Sequence, residues 1–218
     1  MTLTHTINIA THVTTGSLAL IAGLTAAVVS KTGKWHARFG RYFMWMIMVV
    51  ILTGLFGIFV FNRNNFLLVI TMLSGYACFS GIRSIRLNGQ KPKLLDCLVP
   101  ILAIASAMYY IYYVFALGMY WSPVITYSTL GTLLLLAMYD LLKTVLSVTF
   151  LKKAIMYEHA YKMITALTAI ASAFIGTVFP QYKPYSQFMP SVTGFVCIII
   201  AFVWLSNKPG FYKNAEPV

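Results

Sequence analysis

Acidic residues are nearly missing from this chain: four Asp and Glu stand against 16 Lys and Arg in 218 residues. Charged residues of both signs together make up 9%, where a soluble domain carries about a quarter, so a water-soluble globule is excluded. Cysteine is scarce as well. Cys78, Cys97 and Cys197 are odd in number, far apart and without a C-x-x-C, which removes a disulfide scaffold, a zinc knuckle and a redox pair. No Lys or Arg precedes the first apolar run, so the pattern of a cleaved secretory signal is not met and that run is expected to stay as a span. H-E-x-x-H, G-x-S-x-G and P-loop strings are lacking. The last apolar run, 191–204, holds neither a Lys for a retinal Schiff base nor the His that seven-span membrane hydrolases place there.

What the chain has in quantity is apolar residues, 60% of the total, with mean hydropathy +0.81. A spanning helix needs about 20 mostly apolar residues. Seven runs qualify, over 6–30, 42–62, 66–85, 97–118, 124–146, 154–179 and 191–206. Turn-forming strings separate them, among them Arg63-Asn64-Asn65, Asn88-Gly89-Gln90-Lys91-Pro92 and Trp121-Ser122-Pro123. The expectation is an all-α integral membrane protein, one membrane domain over 1–218 built as a seven-transmembrane-helix bundle, with no length left for a soluble domain.

The basic residues then become a threading signal. Lys31, Lys34, Arg38 and Arg41 follow the first run, and Arg83, Arg86, Lys91 and Lys93 the third. Lys143, Lys152, Lys153 and Lys162 surround the junction of the fifth and sixth, and Lys208 and Lys213 lie in the tail. Only Arg63 and Lys183 fall on the other side. The positive-inside rule makes the basic side cytoplasmic, with the N-terminus outside and the C-terminus inside. The net charge of +12 therefore speaks for anionic lipid as a partner rather than nucleic acid. Further membrane subunits are left open.

Few residues can carry chemistry. His5 and His12 share a face of the first helix about 10 Å apart along its axis, too far for one metal ion. Beside Asn8, Thr15, Gly16 and Gly23, they read either as polar glue of a close helix contact or as an outer pocket. His36 and His159 open the second and sixth runs from the same side. Two such histidines can ligate haem iron or another metal between parallel helices, bond lipid head groups and helix ends, or handle protons. Asp140, in an apolar run, is a functional candidate by its depth, although Lys143 three residues on offers an ion pair. Glu158 and Lys162 pair at i and i+4, and Thr165, Thr168 and Ser172 continue a polar stripe from them. Tyr109, Tyr110, Tyr112 and Tyr113 crowd the fourth run. They read as packed hydroxyls, or as an aromatic pocket in which Tyr109 and Tyr113 would meet a flat ligand such as a quinone. Tyr120 and Trp121 fit an interfacial belt.

One pattern carries a resemblance. His12-x3-Gly16 and Gly23, then Lys34-Trp35-His36-x3-Gly40-Arg41, together with Ser80-Gly81-Ile-Arg83 and Glu158-His159-Ala-Tyr-Lys162-Met163, resemble a family of uncharacterised bacterial multi-pass membrane proteins defined only as a domain of unknown function. The resemblance covers most of the chain, implies the same multi-pass architecture, and draws attention to His12, His36 and His159. It implies no activity. The layout is also similar to the b561-type cytochromes, which hold two haems between histidine pairs. Here the outer histidines share one helix, so only an inner haem b on His36 and His159 would be retained. Three functions follow from these residues. One is a membrane protein binding haem, metal or a small ligand through His36, His159 and His12, linked to electron transfer. Another is a proton-coupled transporter using Asp140 and the polar stripes of the first, fifth and sixth runs. The third is a non-catalytic subunit or assembly factor.

Overall fold

The backbone of this sequence can satisfy its polar groups inside a bilayer only by forming helices, because the long apolar runs leave no water to bond them. The computed structural model describes residues 2–31, 33–61, 66–117 and 122–207. They form α1 (Leu3–Val28), α2 (Lys34–Phe61), α3 (Phe66–Leu87), α4 (Leu94–Leu117), α5 (Pro123–Leu142), α6 (Val148–Val178) and α7 (Tyr185–Ser206). A short 3-10 turn, Pro180–Tyr182, precedes α7, and no strand occurs among the described residues. All seven helices are long and apolar enough to cross a membrane, the architecture of a multi-pass membrane protein. Arg63-Asn64-Asn65, Tyr120, Trp121, Lys208 and Lys213 lie outside the described residues.

Local chemistry sets the helix ends. Thr2 Oγ1 accepts from the His5 N–H at 3.4 Å and Ser147 Oγ from the Phe150 N–H at 3.3 Å, each capping a helix start. Pro123 opens α5, where its missing N–H is no loss. At the end of α3, Asn88 (φ 47°) and Gly89 (φ 74°) turn the backbone left-handed and stop the helix. Three helices begin six or more residues ahead of their apolar runs: α2 at Lys34 rather than 42, α6 at Val148 rather than 154, and α7 at Tyr185 rather than 191. Helical hydrogen bonding continues through the polar flanks, whose long side chains reach back toward water. For α6 this has a large effect, because Lys162 now stands deep within the helix instead of at its border.

The central helix is α3, which packs against α2, α4, α5 and α6. It suits that place because Ser74, Ala77, Cys78, Ser80 and Ser84 are small and buried. A Cβ on Gly81 would stand 3.0 Å from Met163 Sδ and 3.1 Å from Lys162 Cβ, so α3 and α6 approach closely at this glycine and a larger residue would require α6 side chains to shift by a few tenths of an ångström. Helix α1 packs on α2 and α6, and α7 on α6. The fully buried Phe43, Ile47, Val69, Leu133 and Leu136 fill the interior, while Phe59, Phe115 and Leu135 point outward as a lipid-facing surface would. At one end, Lys91 Nζ donates to Thr144 O at 2.8 Å and Leu146 O at 2.5 Å, tying the α3–α4 link to the α5–α6 link.

Candidate functional site

Three of the chain's four acids, Asp96, Asp140 and Glu158, are buried in the half of the bundle where these links meet. Each is matched with a base. Near the end of α5, Asp140 and the helix-capping Lys143 lie three residues apart, with Lys143 Nζ 2.7 Å from Asp140 Oδ1. On α6, Glu158 and Lys162 lie four apart, with Lys162 Nζ 3.1 Å from Glu158 Oε2. The two pairs face each other and exchange partners. Lys162 Nζ is 2.6 Å from Asp140 Oδ1, and Lys143 Nζ is 2.9 Å from Glu158 Oε2. The result is a closed ring of alternating charge, Asp140–Lys143–Glu158–Lys162, in which two negative and two positive charges cancel.

The remaining acceptor positions are nearly all filled. A carboxylate offers about four lone-pair sites. Two on Asp140 take the lysines, and two take hydroxyls from α3: Tyr76 donates to Oδ2 at 2.5 Å, and Ser80 donates to the same oxygen. Tyr76 and Ser80 are one turn apart and so share a face. Glu158 Oε1 accepts from Tyr139 at 2.7 Å. Both ammonium groups lie over the Tyr139 ring, 5.8 Å and 5.6 Å from its centre, within the range of a cation–π contact. Lys162 has no exposed surface at all. Isolated, such a charge would destabilise the bundle by several kcal/mol or more, so the ring is the condition for its presence there.

A second, more open pair stands beside the ring. Arg83 on α3 holds Asp96 on α4 with two parallel bonds, Nε to Oδ1 at 2.6 Å and Nη2 to Oδ2 at 2.7 Å. The Lys93 N–H adds a third bond to Asp96 Oδ2 at 2.9 Å. Pro100, one turn further along α4, has no N–H to donate to the Asp96 carbonyl. Between the two groups lies a small cavity lined by Asp140, Lys143, Arg83, Asp96 and Pro100. Another, on the far side of Lys143, is lined by Glu158, Gln90 and Ser84. Each has room for about one water molecule. A solute larger than water has no prepared place at either.

The histidines of the motif lie elsewhere. His36 and His159 do meet, with ring centres 6.2 Å apart and planes at 78°. His36 Nδ1 bonds Ala26 O and His159 Nδ1 bonds Gly81 O, both at 2.9 Å. A carbonyl only accepts, so both rings carry hydrogen on Nδ1. His12 is apart from them in the opposite half, its Nδ1 2.9 Å from Thr53 Oγ1, and Asn8 Nδ2 donates to Thr53 O at 3.2 Å. His5 stacks on Phe61. The described residues contain no group of three or more His, Cys, Asp and Glu able to hold a metal ion.

Tyr109 and Tyr112 are exposed on the outer face of α4, whereas Tyr110 is buried and Tyr113 stacks on it at 6.3 Å. Tyr109 and Tyr113 thus face different surroundings, one outward and one against the buried Tyr110. The polar stripe of α6 serves as a helix seam: Thr168 meets Gly194, and Ser172 Oγ lies 3.3 Å from Ser191 Oγ of α7.

Two features of the ring had signals in the sequence, since the Asp140–Lys143 and Glu158–Lys162 spacings mark intrahelical pairs. Tyr76 and Tyr139 had none, because a tyrosine in an apolar helix reads as ordinary packing, and Ser80 stood out only within the Ser80-Gly81-Ile-Arg83 string, with no sign of a carboxylate partner. Lys162 counted as a border charge, but it is interior. Compared with known proteins, the chain matches no protein-family model, no curated protein and no solved structure.

Proposed function

We propose that this chain is a proton-coupled membrane transport protein in which the charge ring is the lock of the closed state and Asp140 is the group that takes the proton. The observation that carries this reading is the set of four donors on Asp140, drawn from three helices: Tyr76 and Ser80 of α3, Lys143 at the end of α5, and Lys162 of α6. Any movement that parts α5 from α3 and α6 strips the buried carboxylate of Tyr76, Ser80 and Lys162 and leaves it only Lys143 of its own helix. A buried carboxylate that has lost most of its compensation is more costly than its neutral acid, so the opened state favours a proton there. The converse also holds. A proton on Asp140 removes the attraction for both lysines, which loosens the ring. Proton binding and opening are therefore one event, the requirement for coupling a proton gradient to movement.

The water-sized cavities on both sides of Lys143 support protons delivered through water rather than a bulky solute at this position. The proposal includes the topology: N-terminus outside, C-terminus in the cytoplasm, and a bacterial inner membrane. Lys31, Lys34, Arg38, Arg41, Arg86, Lys91, Lys93, Lys152 and Lys153 all flank the links of the ring's half, which supports that side as cytoplasmic.

The test uses purified protein in liposomes loaded with a pH-sensitive dye and energised by a potassium diffusion potential. Wild-type vesicles acidify faster than empty ones, and Asp140→Asn lowers that excess rate at least about tenfold while keeping its helical circular dichroism. Equal rates for the folded variant and the wild type, or wild-type vesicles no faster than empty ones, would refute the reading.

A further inference from the structure

Helices α4 and α5 differ from the rest of the bundle in how they are attached. They pack closely on each other and on α3, whereas α6 packs on α3, α1 and α7. Among the described residues, α5 is tied to α6 by long side chains rather than by close backbones. Tyr139, Asp140 and Lys143 reach across to Glu158 and Lys162.

The bonds from this pair of helices to its neighbours gather at one end. Asp140 accepts from Tyr76, Ser80 and Lys162, Tyr139 and Lys143 donate to Glu158, and Asp96 accepts two bonds from Arg83. Further along the same helices the buried surface is apolar, with Val69, Leu73, Ala103, Ala107 and Leu133 in the core. The hydroxyls of Ser74, Ser106, Ser128 and Thr132 bond the backbone of their own helix. Helices in apolar contact slide by about 1–2 Å and stay packed, whereas directional bonds of this kind either hold or part. Both water-sized cavities lie on the same seam. One is between Arg83 of α3, Asp96 of α4 and Asp140 of α5, the other between Ser84 of α3, Lys143 at the end of α5 and Glu158 of α6. Lys91 binds the two links at this end to each other, which joins α4 and α5 at their base.

We propose that α4 and α5 move as one element, parting from α3 and α6 at the ring's end while the opposite end stays packed, with Arg83–Asp96 as a second latch beside the ring. This rests on the reading of Asp140 as the proton site. Asp140 is faced by Tyr76 and Arg83 of α3, Asp96 of α4, Lys143 beside it on the chain, and Lys162 and Glu158 of α6. A proton on it cancels its attraction for Lys162 across the seam, while Arg83 still holds Asp96. The cost of opening is the sum over both latches, so weakening either one raises the open population.

Paired spin labels on the full-length protein in nanodiscs test this, with Cys78, Cys97 and Cys197 replaced by alanine. All label sites are exposed. Leu98→Cys with Lys153→Cys spans α4 and α6 at the ring's end, Tyr112→Cys with Val178→Cys spans them at the far end, and Leu98→Cys with Leu142→Cys lies within the moving pair. Lowering the pH lengthens the first distance by about 5 Å or more in a growing share of molecules and leaves the other two unchanged. Asp140→Asn shows the long distance already at neutral pH, and Arg83→Gln raises its share at every pH. A first distance fixed across pH and in both variants overturns the moving element, as does a change confined to the other two pairs. Neither result alters the proton flux of the wild type, so the two readings fail separately. Lengthening in Arg83→Gln without response to pH or to Asp140→Asn keeps the moving element and refutes Asp140 as its proton switch.

Discussion

The two halves of the bundle hold their polar residues in opposite ways. Around α3, α5 and α6, four full charges are buried and made tolerable only by one another. Around α1 and α2, the polar groups are neutral: His12 bonds Thr53, and Asn8 bonds the backbone of the same residue. The first arrangement is all-or-none, since each member's removal strands its partners. The second is local, and each bond can be lost separately. In a membrane, ionic content therefore concentrates stability and coupling at one level, whereas hydrogen-bonded content spreads it.

The sharpest way to break that contrast is Lys162→Met. It leaves Asp140 and Glu158 sharing a single ammonium and is expected to destabilise the bundle by about 3–5 kcal/mol in denaturant unfolding from detergent. Adding Asp140→Asn should restore most of the loss, because Lys143 and Glu158 then remain as a balanced pair. A double variant no better than the single one would show that the ring does not act as a unit. Arg83→Gln comes next. Arg83 and Asp96 are 23% and 6% exposed, so their separation is expected to cost about 2–3 kcal/mol, less than the ring because Lys93 N–H still holds the acid. Tyr76→Phe removes one of two hydroxyls from Asp140 Oδ2 and should cost about 1–2 kcal/mol by the same unfolding measurement. The smallest effect belongs to the neutral half. His12→Phe removes the bond to Thr53 and is expected to change stability by about 0.6–1.7 kcal/mol. Should His12→Phe exceed Lys162→Met, the contrast between the halves is reversed.

What could be seen in the sequence depended on distance along the chain. Helical periodicity alone predicts that Asp140 meets Lys143 and that Glu158 meets Lys162, because three and four residues make one turn. Which face of α5 turns toward α6 is set by packing around Gly81 and α3, so the merger of two pairs into a ring was hidden. Arg83 and Asp96 were hidden for the same reason: one ends a helix, the other begins the next, and their bidentate contact depends on how the 88–93 turn folds back. His36 and His159 are the long-range contact that the sequence did suggest, since both motifs open helices from one side. The seven apolar runs marked the helices, but not their starts at Lys34, Val148 and Tyr185, where side-chain polarity changes while backbone hydrogen bonding does not.

One feature of the ring bears on how the chain enters a membrane. All four of its charges lie between Asp140 and Lys162, inside a single helical hairpin of α5 and α6. Presented singly to lipid, an Asp or Lys near the middle of a helix is opposed by about 2.5–3.5 kcal/mol. Presented as one hairpin, these four arrive already neutralised, and α3 has only hydroxyls to add. The α5–α6 hairpin is thus suited to insert as one electrically balanced piece and to dock on α3 afterwards. Separate insertion of either helix would leave its charges in lipid with only their neighbours on the same helix.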